Sequence, residues 1–175
     1  NKHPINSPSD LKGRKLRVPE GKWRVKMFQA YGANPSPMKF SEVFTALQTG
    51  VMDGQEDPFA QIASAKFYEV QKYLSLTGHV YTPSYVAVGA KKWATLPADV
   101  RKIIEDAAKD TQAWVYEKAA RDDDDLLEKM KKSGIKVNNA DKDAFIAASK
   151  PVYDDFSKEV PSAKAIIERA IALGK

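Results

Sequence analysis

A chain of 175 residues has room for one ordinary domain with a sizeable core, or for two small lobes. At 43% hydrophobic and 29% charged residues it is neither fibrous nor disordered, and the absence of cysteine excludes disulfides, thiol catalysis and cysteine-ligated zinc. The net charge of +5 is unevenly spread: residues 1–40 hold nine Lys/Arg against Asp10 and Glu20, whereas residues 41–70 hold Glu42, Asp53, Glu56, Asp57 and Glu69 against Lys66 alone. A basic face beside an acidic one suits a small anion better than a nucleic acid, which prefers a continuous basic stripe with exposed aromatics.

In chain order, Ser7-Pro8-Ser9-Asp10 is turn chemistry, with Ser9 or Asp10 placed to cap a single helical turn before Gly13. RKLRV alternates polar and apolar residues, so it predicts a short strand with Leu16 and Val18 on one face and Lys15 and Arg17 on the other. Arg17 is therefore no core residue by pattern. It is either a solvated strand-end arginine or, just before Val18-Pro19, a cation placed to hold an anion.

Trp23, Met27, Phe28 and Tyr31 fall at helical spacing between Gly21 and the stop signal Gly32. A strand running straight into a helix is half of an α/β unit, and ligands in such folds gather where strand C-termini meet helix N-termini. Ala33–Pro37 reads as a connector, because each residue before a proline is pushed toward extended backbone. Ser41 is placed to cap the helix SEVFTALQTG, with Gly50 as its stop. Phe40 then staples the first turn of that helix or forms an apolar floor under a ligand.

Val51 and Met52 suggest a short strand with Gly54 as its turn, and Asp57-Pro58 has the form of a helix start with Asp57 as cap. The alternative is that Asp57 forms part of a ligand wall with Arg17. Beyond the stripe Phe59, Ile62, Ala63, Phe67 and Val70, two extended stretches meet at Gly78. The second, Tyr85–Gly89, looks like a strand buried on both faces, which demands partner strands that the downstream sequence does not offer.

Residues 98–133 carry a helical stripe from Val100 to Met130, interrupted by Asp122–Asp125. A helix of that length spans roughly 54 Å and should bridge two lobes or bend near the aspartates. Four consecutive aspartates on a helix point around the axis, so they read as a solvated charge run rather than a metal site. GIKVNN is a short strand and the remaining sequence supplies closing helices. Neither His3 nor His79 lies in a nucleophile or metal motif, no phosphate loop is present, and the adjacent carboxylates Glu56 and Asp57 are not expected to share one pocket. No cofactor or metal is expected.

DLKGRKLRVP, GANPSPMKFSEVFTALQTGVMDGQEDP and AKFYEVQKYLSLTGH closely resemble the DctP-type periplasmic solute receptors of TRAP (tripartite ATP-independent periplasmic) transporters. The resemblance covers essentially the whole chain, most sharply residues 9–80. It implies a two-lobed α/β periplasmic binding protein fold with a long lobe-spanning helix, and a function as receptor that closes on a small organic acid and passes it to a membrane permease. The alternative is an enzyme on a related scaffold acting on such an acid.

The same resemblance makes Arg17 the selectivity arginine that pairs with the ligand carboxylate, Phe40 a pocket wall, and Asp57 the position where the family usually has an asparagine. Glu20, Gly21, Trp23 and Tyr81 are weaker candidates for shaping the pocket. Family members are nearly twice as long, so the chain looks like the C-terminal part. Residues 1–82 would form the second lobe, 83–122 would return to the first, 123–150 would complete the long helix and the second lobe, and 151–175 would close the fold. A further ligand-contacting arginine would lie before Asn1. The implied setting is the periplasm. NKHPINSPSD has no signal-peptide core and no apolar run approaches the roughly 20 residues of a membrane span.

Overall fold

The sequence RKLRV becomes the central strand of a parallel sheet. The computed structural model describes residues 2–83 and 85–174. In it β1 (Lys15–Val18) is flanked by β2 (Asn34–Pro37) and β3 (Gly54–Gln55), both parallel to it, in the order β2-β1-β3. Central position explains the first departure from the alternation: Leu16, Arg17 and Val18 are all buried, and Arg17 is only 3% exposed. The pattern that placed Arg17 on a solvated face holds for a half-covered strand. This strand is covered on both faces.

Residues 33–37 are likewise more than a connector. The prolines hold the segment extended, and it pairs in register with β1, Lys15 opposite Asn34 through Val18 opposite Pro37. Proline has no amide hydrogen to give, and an edge strand is where the sheet tolerates it. Gly54 belongs to β3 rather than to a turn, while Val51, expected in a strand, is exposed in the bend before it. A Cβ on Gly54 would approach Leu16 Cδ1 to 3.3 Å, so the close pairing of β3 with β1 favours glycine there.

Helix α1 (Lys22–Ala30) follows β1 and ends where expected, with Gly32 at φ +86°. It packs on α6 (Lys142–Glu159), and Leu11, Leu16, Val18, Phe28, Tyr31, Ala33 and Phe145 form one core. The first turn, a 3₁₀ segment at Pro8–Leu11, is capped by Ser7 rather than by Ser9 or Asp10. The Asp10 carboxylate instead accepts from the amides of Asn6 and Ser7 at 2.8 and 3.1 Å.

A second core joins α2 (Phe40–Gln48), α3 (Phe59–Ser64) and the end of α5 (Ala98–Lys132). It contains Val43, Leu47, Met52, Ile62, Phe67, Met130 and Ile135. The cap of α2 is Lys39, so Phe40 is the first helical residue and Ser41 lies inside the helix. The stripe after Pro58 is shorter than its spacing suggests. Helix α3 stops at Ser64, Lys66 takes a left-handed backbone (φ 55°), and Phe67–Glu69 is a separate 3₁₀ turn.

Strands β4 (Tyr73–Leu76) and β5 (Lys136–Asn139) pair in parallel as a second sheet. Helix α4 (Ala90–Thr95) precedes α5, and α7 (Lys164–Leu173) closes the chain. Helix α5 runs unbroken for 35 residues through Asp122–Asp125, with Lys118 pairing to Asp122 at 2.9 Å. The run Tyr85–Gly89 forms no strand: Tyr85, Val86 and Val88 are exposed, Val86 fully, and among the described residues no strand lies beside them. Ser84 lies outside the described residues.

Candidate functional site

The end of β1 aims Arg17 at the start of α3. Its guanidinium Nη1 donates to Asp57 Oδ2 at 3.1 Å, while Nε and Nη2 both donate to the Met38 carbonyl at 3.0 and 2.9 Å. A guanidinium has five N–H groups, so one on each Nη is left over. The Phe40 ring lies 5.9 Å from the guanidinium carbon, within cation–π range, and tilts against Phe67 at 5.4 Å. Arg17, Phe40 and Asp57, brought from three separate stretches, thus stand together.

Asp57 is not the helix cap. Pro58 holds that position, in extended backbone, and Asp57 lies before it with its carboxylate turned to Arg17. The two side chains are 4% and 12% exposed, so this is a buried pair. Burial raises the Asp57 carboxyl to about 6. Arg17 and, less strongly, Arg24 pull it down, and the neighbouring Glu56 pushes it further up.

A second polar group stands beside the first. Glu56 Oε2 accepts from Arg24 Nη1 and faces His79 Nε2, both at 3.0 Å, and His79 Nδ1 lies 2.6 Å from Thr77 Oγ1. Glu56 Oε1 is buried without a partner among the described residues. With Lys2–Asp53 at 2.9 Å, these contacts join the basic residues before position 40 to the acidic ones after it, the asymmetry visible in the sequence.

A cleft of about 1630 Å³ opens in front of these residues. Its wall includes Pro19, Arg24, Glu56, Asp57, His79 and Tyr81, and its other side is formed by α5 around Val115 and Tyr116. Two sequence expectations change here. Glu56 and Asp57 do line one cleft although they are adjacent, each turned to its own arginine, Glu56 to Arg24 and Asp57 to Arg17. Arg17 is not itself on the cleft surface and lies behind Asp57.

The weaker candidates separate. Tyr81 is exposed and on the cleft wall. Trp23 is committed elsewhere, edge-on to Phe156 at 4.9 Å with Lys22 and Lys26 over its ring. Glu20 is exposed and Gly21, at φ +153°, caps α1; neither lines the cleft. Arg24, Glu56 and His79 were not placed in a site from sequence. The available signal was the charge asymmetry, which shows that pairs form but not which ones.

The comparisons with known proteins give this fold a family. The model of the family "Bacterial extracellular solute-binding protein, family 7" (DctP) matches residues 1–159, and the chain belongs to that family. It is 36% identical over 167 residues to the 2,3-diketo-L-gulonate-binding periplasmic protein YiaO of Escherichia coli (strain K12), a match spanning 94% of this chain and 51% of that protein. It is 37% identical over 157 residues to the sialic acid-binding periplasmic protein SiaP of Vibrio cholerae, over 90% of this chain and 49% of that one.

Among solved structures, a TRAP periplasmic solute-binding protein from Roseobacter denitrificans with bound β-D-glucuronate superposes with a TM-score of 0.91. It has 30% identity over 96% of this chain and 56% of that one. The chain is thus an α/β protein of the TRAP solute-binding fold that spans about half the length of the curated relatives it matches. These relatives are named as binding proteins for small acids, and none of the three is named as an enzyme.

Proposed function

We propose that this chain is the C-terminal part of a periplasmic receptor that binds a polyhydroxylated monocarboxylic acid through Arg17 and delivers it to a TRAP membrane permease without catalysis. The observation that carries the reading is the arginine itself. It is a buried guanidinium fixed by Met38, flanked by Phe40, with an N–H left over on each terminal nitrogen directly behind Asp57, which lines an open cleft. That donor set suits a carboxylate, whose two oxygens accept in parallel from two nitrogens. Asp57 and Tyr81 on the same wall suit hydroxyl groups. The acids named for the three relatives, 2,3-diketo-L-gulonate, sialic acid and β-D-glucuronate, all combine a carboxylate with several hydroxyl groups.

In this reading Asp57 lines the cleft in front of Arg17, Phe40 flanks the guanidinium from outside the cleft lining, and polypeptide equivalent to the half of the relatives that this chain does not span completes the enclosure begun by α5. Residues 1–82 and 123–150 belong to one lobe and residues 83–122 to the other, with 151–175 closing the fold. Support comes from the distribution of burial: both cores draw on the first set, whereas residues 102–121 are exposed throughout.

The test is a thermal shift with D-glucuronate on the full-length receptor. Stabilisation that disappears in Arg17→Ala is the expected result, and equal stabilisation in the variant removes the role given to Arg17. NMR of the acid with catalytic amounts of protein separates receptor from enzyme, since a receptor leaves the spectrum unchanged.

A further inference from the structure

We infer that Asp57 is a proton-linked gate on Arg17: its carboxylate is the resident counter-ion of the guanidinium, and an acid occupies the arginine only as Asp57 takes up a proton. The inference rests on the receptor reading above and concerns the same site.

The geometry leads to it in three steps. Asp57 lines the cleft and Arg17 does not, so a ligand carboxylate approaching the guanidinium meets Asp57 first. Of the five N–H groups of Arg17, two are held by Met38 and one by Asp57, which leaves the ligand the remaining N–H on each terminal nitrogen, next to the oxygen that Asp57 already presents at 3.1 Å. Two carboxylates sharing one guanidinium in a buried place cannot both stay ionised, because a like charge at that range disfavours the second ionisation. The ligand's carboxyl is the stronger acid when it carries an α-oxygen, so the proton goes to Asp57.

Protonation also makes Asp57 useful. An ionised carboxylate only accepts, whereas the acid form donates one O–H and can hand it to the ligand carboxylate or to a neighbouring hydroxyl. The charged groups acting on Asp57 are Arg17 from β1, Arg24 from α1 and Glu56 next to it; His79, from the segment after β4, faces Glu56. Burial and Glu56 outweigh the two arginines and already lift the carboxyl to about 6, so the proton is available close to neutrality.

The experiment is isothermal titration of D-glucuronate, whose own carboxyl stays ionised throughout, into the full-length receptor from about pH 5.5 to about pH 8.5. Running each pH in two buffers of different ionisation enthalpy counts protons on the unmodified protein, so the result does not depend on a variant folding. Affinity weakening by about tenfold per pH unit above neutrality, with close to one proton taken up per ligand, is expected. Asp57→Asn should bind with a flat pH profile, no proton uptake and higher affinity than the parent at the alkaline end. Arg17-dependent binding with a flat profile and no proton uptake in the parent overturns the gate and leaves the receptor reading standing. Absence of D-glucuronate binding at every pH in both proteins removes the two together.

Discussion

Two stretches of this molecule use apolar and charged residues in opposite ways. Around Arg17, a cation that the strand pattern assigns to solvent is buried, paired and hydrogen-bonded on most of its donors. Along residues 80–121, Val86, Ile103, Trp114 and Tyr116, which belong in a core by type, are exposed. A buried charge is tolerated because every commitment it needs is nearby. Ile103, Trp114 and Tyr116 on α5 and Val86 before it are left largely uncovered by the described residues, and large apolar residues exposed together in this way mark an interaction surface. The first stretch is complete here, and the second is accounted for by the proposal that its partner is the other lobe.

The largest effects should come from the cores. Phe67→Ala removes a fully buried ring that also supports Phe40, and is expected to cost about 3–5 kcal/mol in urea unfolding. Arg17→Ala leaves Asp57 buried without its counter-ion, and breaking such a pair costs about 3–5 kcal/mol. That loss should be greater at alkaline pH than near pH 5, because protonated Asp57 tolerates the missing charge.

Asp57 itself gives a signed pH dependence. Its carboxyl is raised to about 6 in the fold, against a reference of 3.8, so the folded protein holds a proton that the unfolded chain has released. Stability from this group is therefore greatest below about pH 4 and declines as pH rises through about 6. Relative to Asp57→Asn, the parent should lose at most about 3 kcal/mol across that window, read from denaturation midpoints at each pH. A difference that grows in the parent's favour with rising pH would show that Arg17 outweighs burial.

Smaller effects sharpen the contrast. Tyr31→Phe deletes a buried hydroxyl 2.6 Å from Ser149 Oγ and should cost about 1 kcal/mol, since Ser149 keeps its bond to the Phe145 carbonyl. Ile103→Ala should change the stability of the 175-residue chain by less than about 0.5 kcal/mol. The same substitution in the full-length receptor should cost more than about 1 kcal/mol if the other lobe covers this face. Equal values in both would contradict the lobe assignment.

Local rules made most of the elements legible. Helical spacing in KWRVKMFQAYG, the length of α5, and the strands at RKLRV and KVNN are all read from periodicity and glycine stops. The exceptions have a common cause. NPSP became a strand, Gly54 entered one, Asp57 gave up the cap position and Tyr85–Gly89 failed to form a strand, each because pairing with a distant segment decides the outcome. The same holds for the site. Family resemblance singled out Arg17, Phe40 and Asp57. The adjacent Arg24–Glu56–His79 contacts needed three-dimensional placement, since nothing in the spacing of positions 24, 56 and 79 marks them as neighbours.

The central claim is that Arg17 receives the acid and that Asp57 yields to it. A crystal structure of the full-length receptor with D-glucuronate tests it most directly. The account predicts the ligand carboxylate within about 3 Å of Arg17 Nη1 and Nη2, with the Arg17–Asp57 contact of 3.1 Å opened or shared. A carboxylate seated on Arg24, with Arg17 and Asp57 still paired, would contradict it.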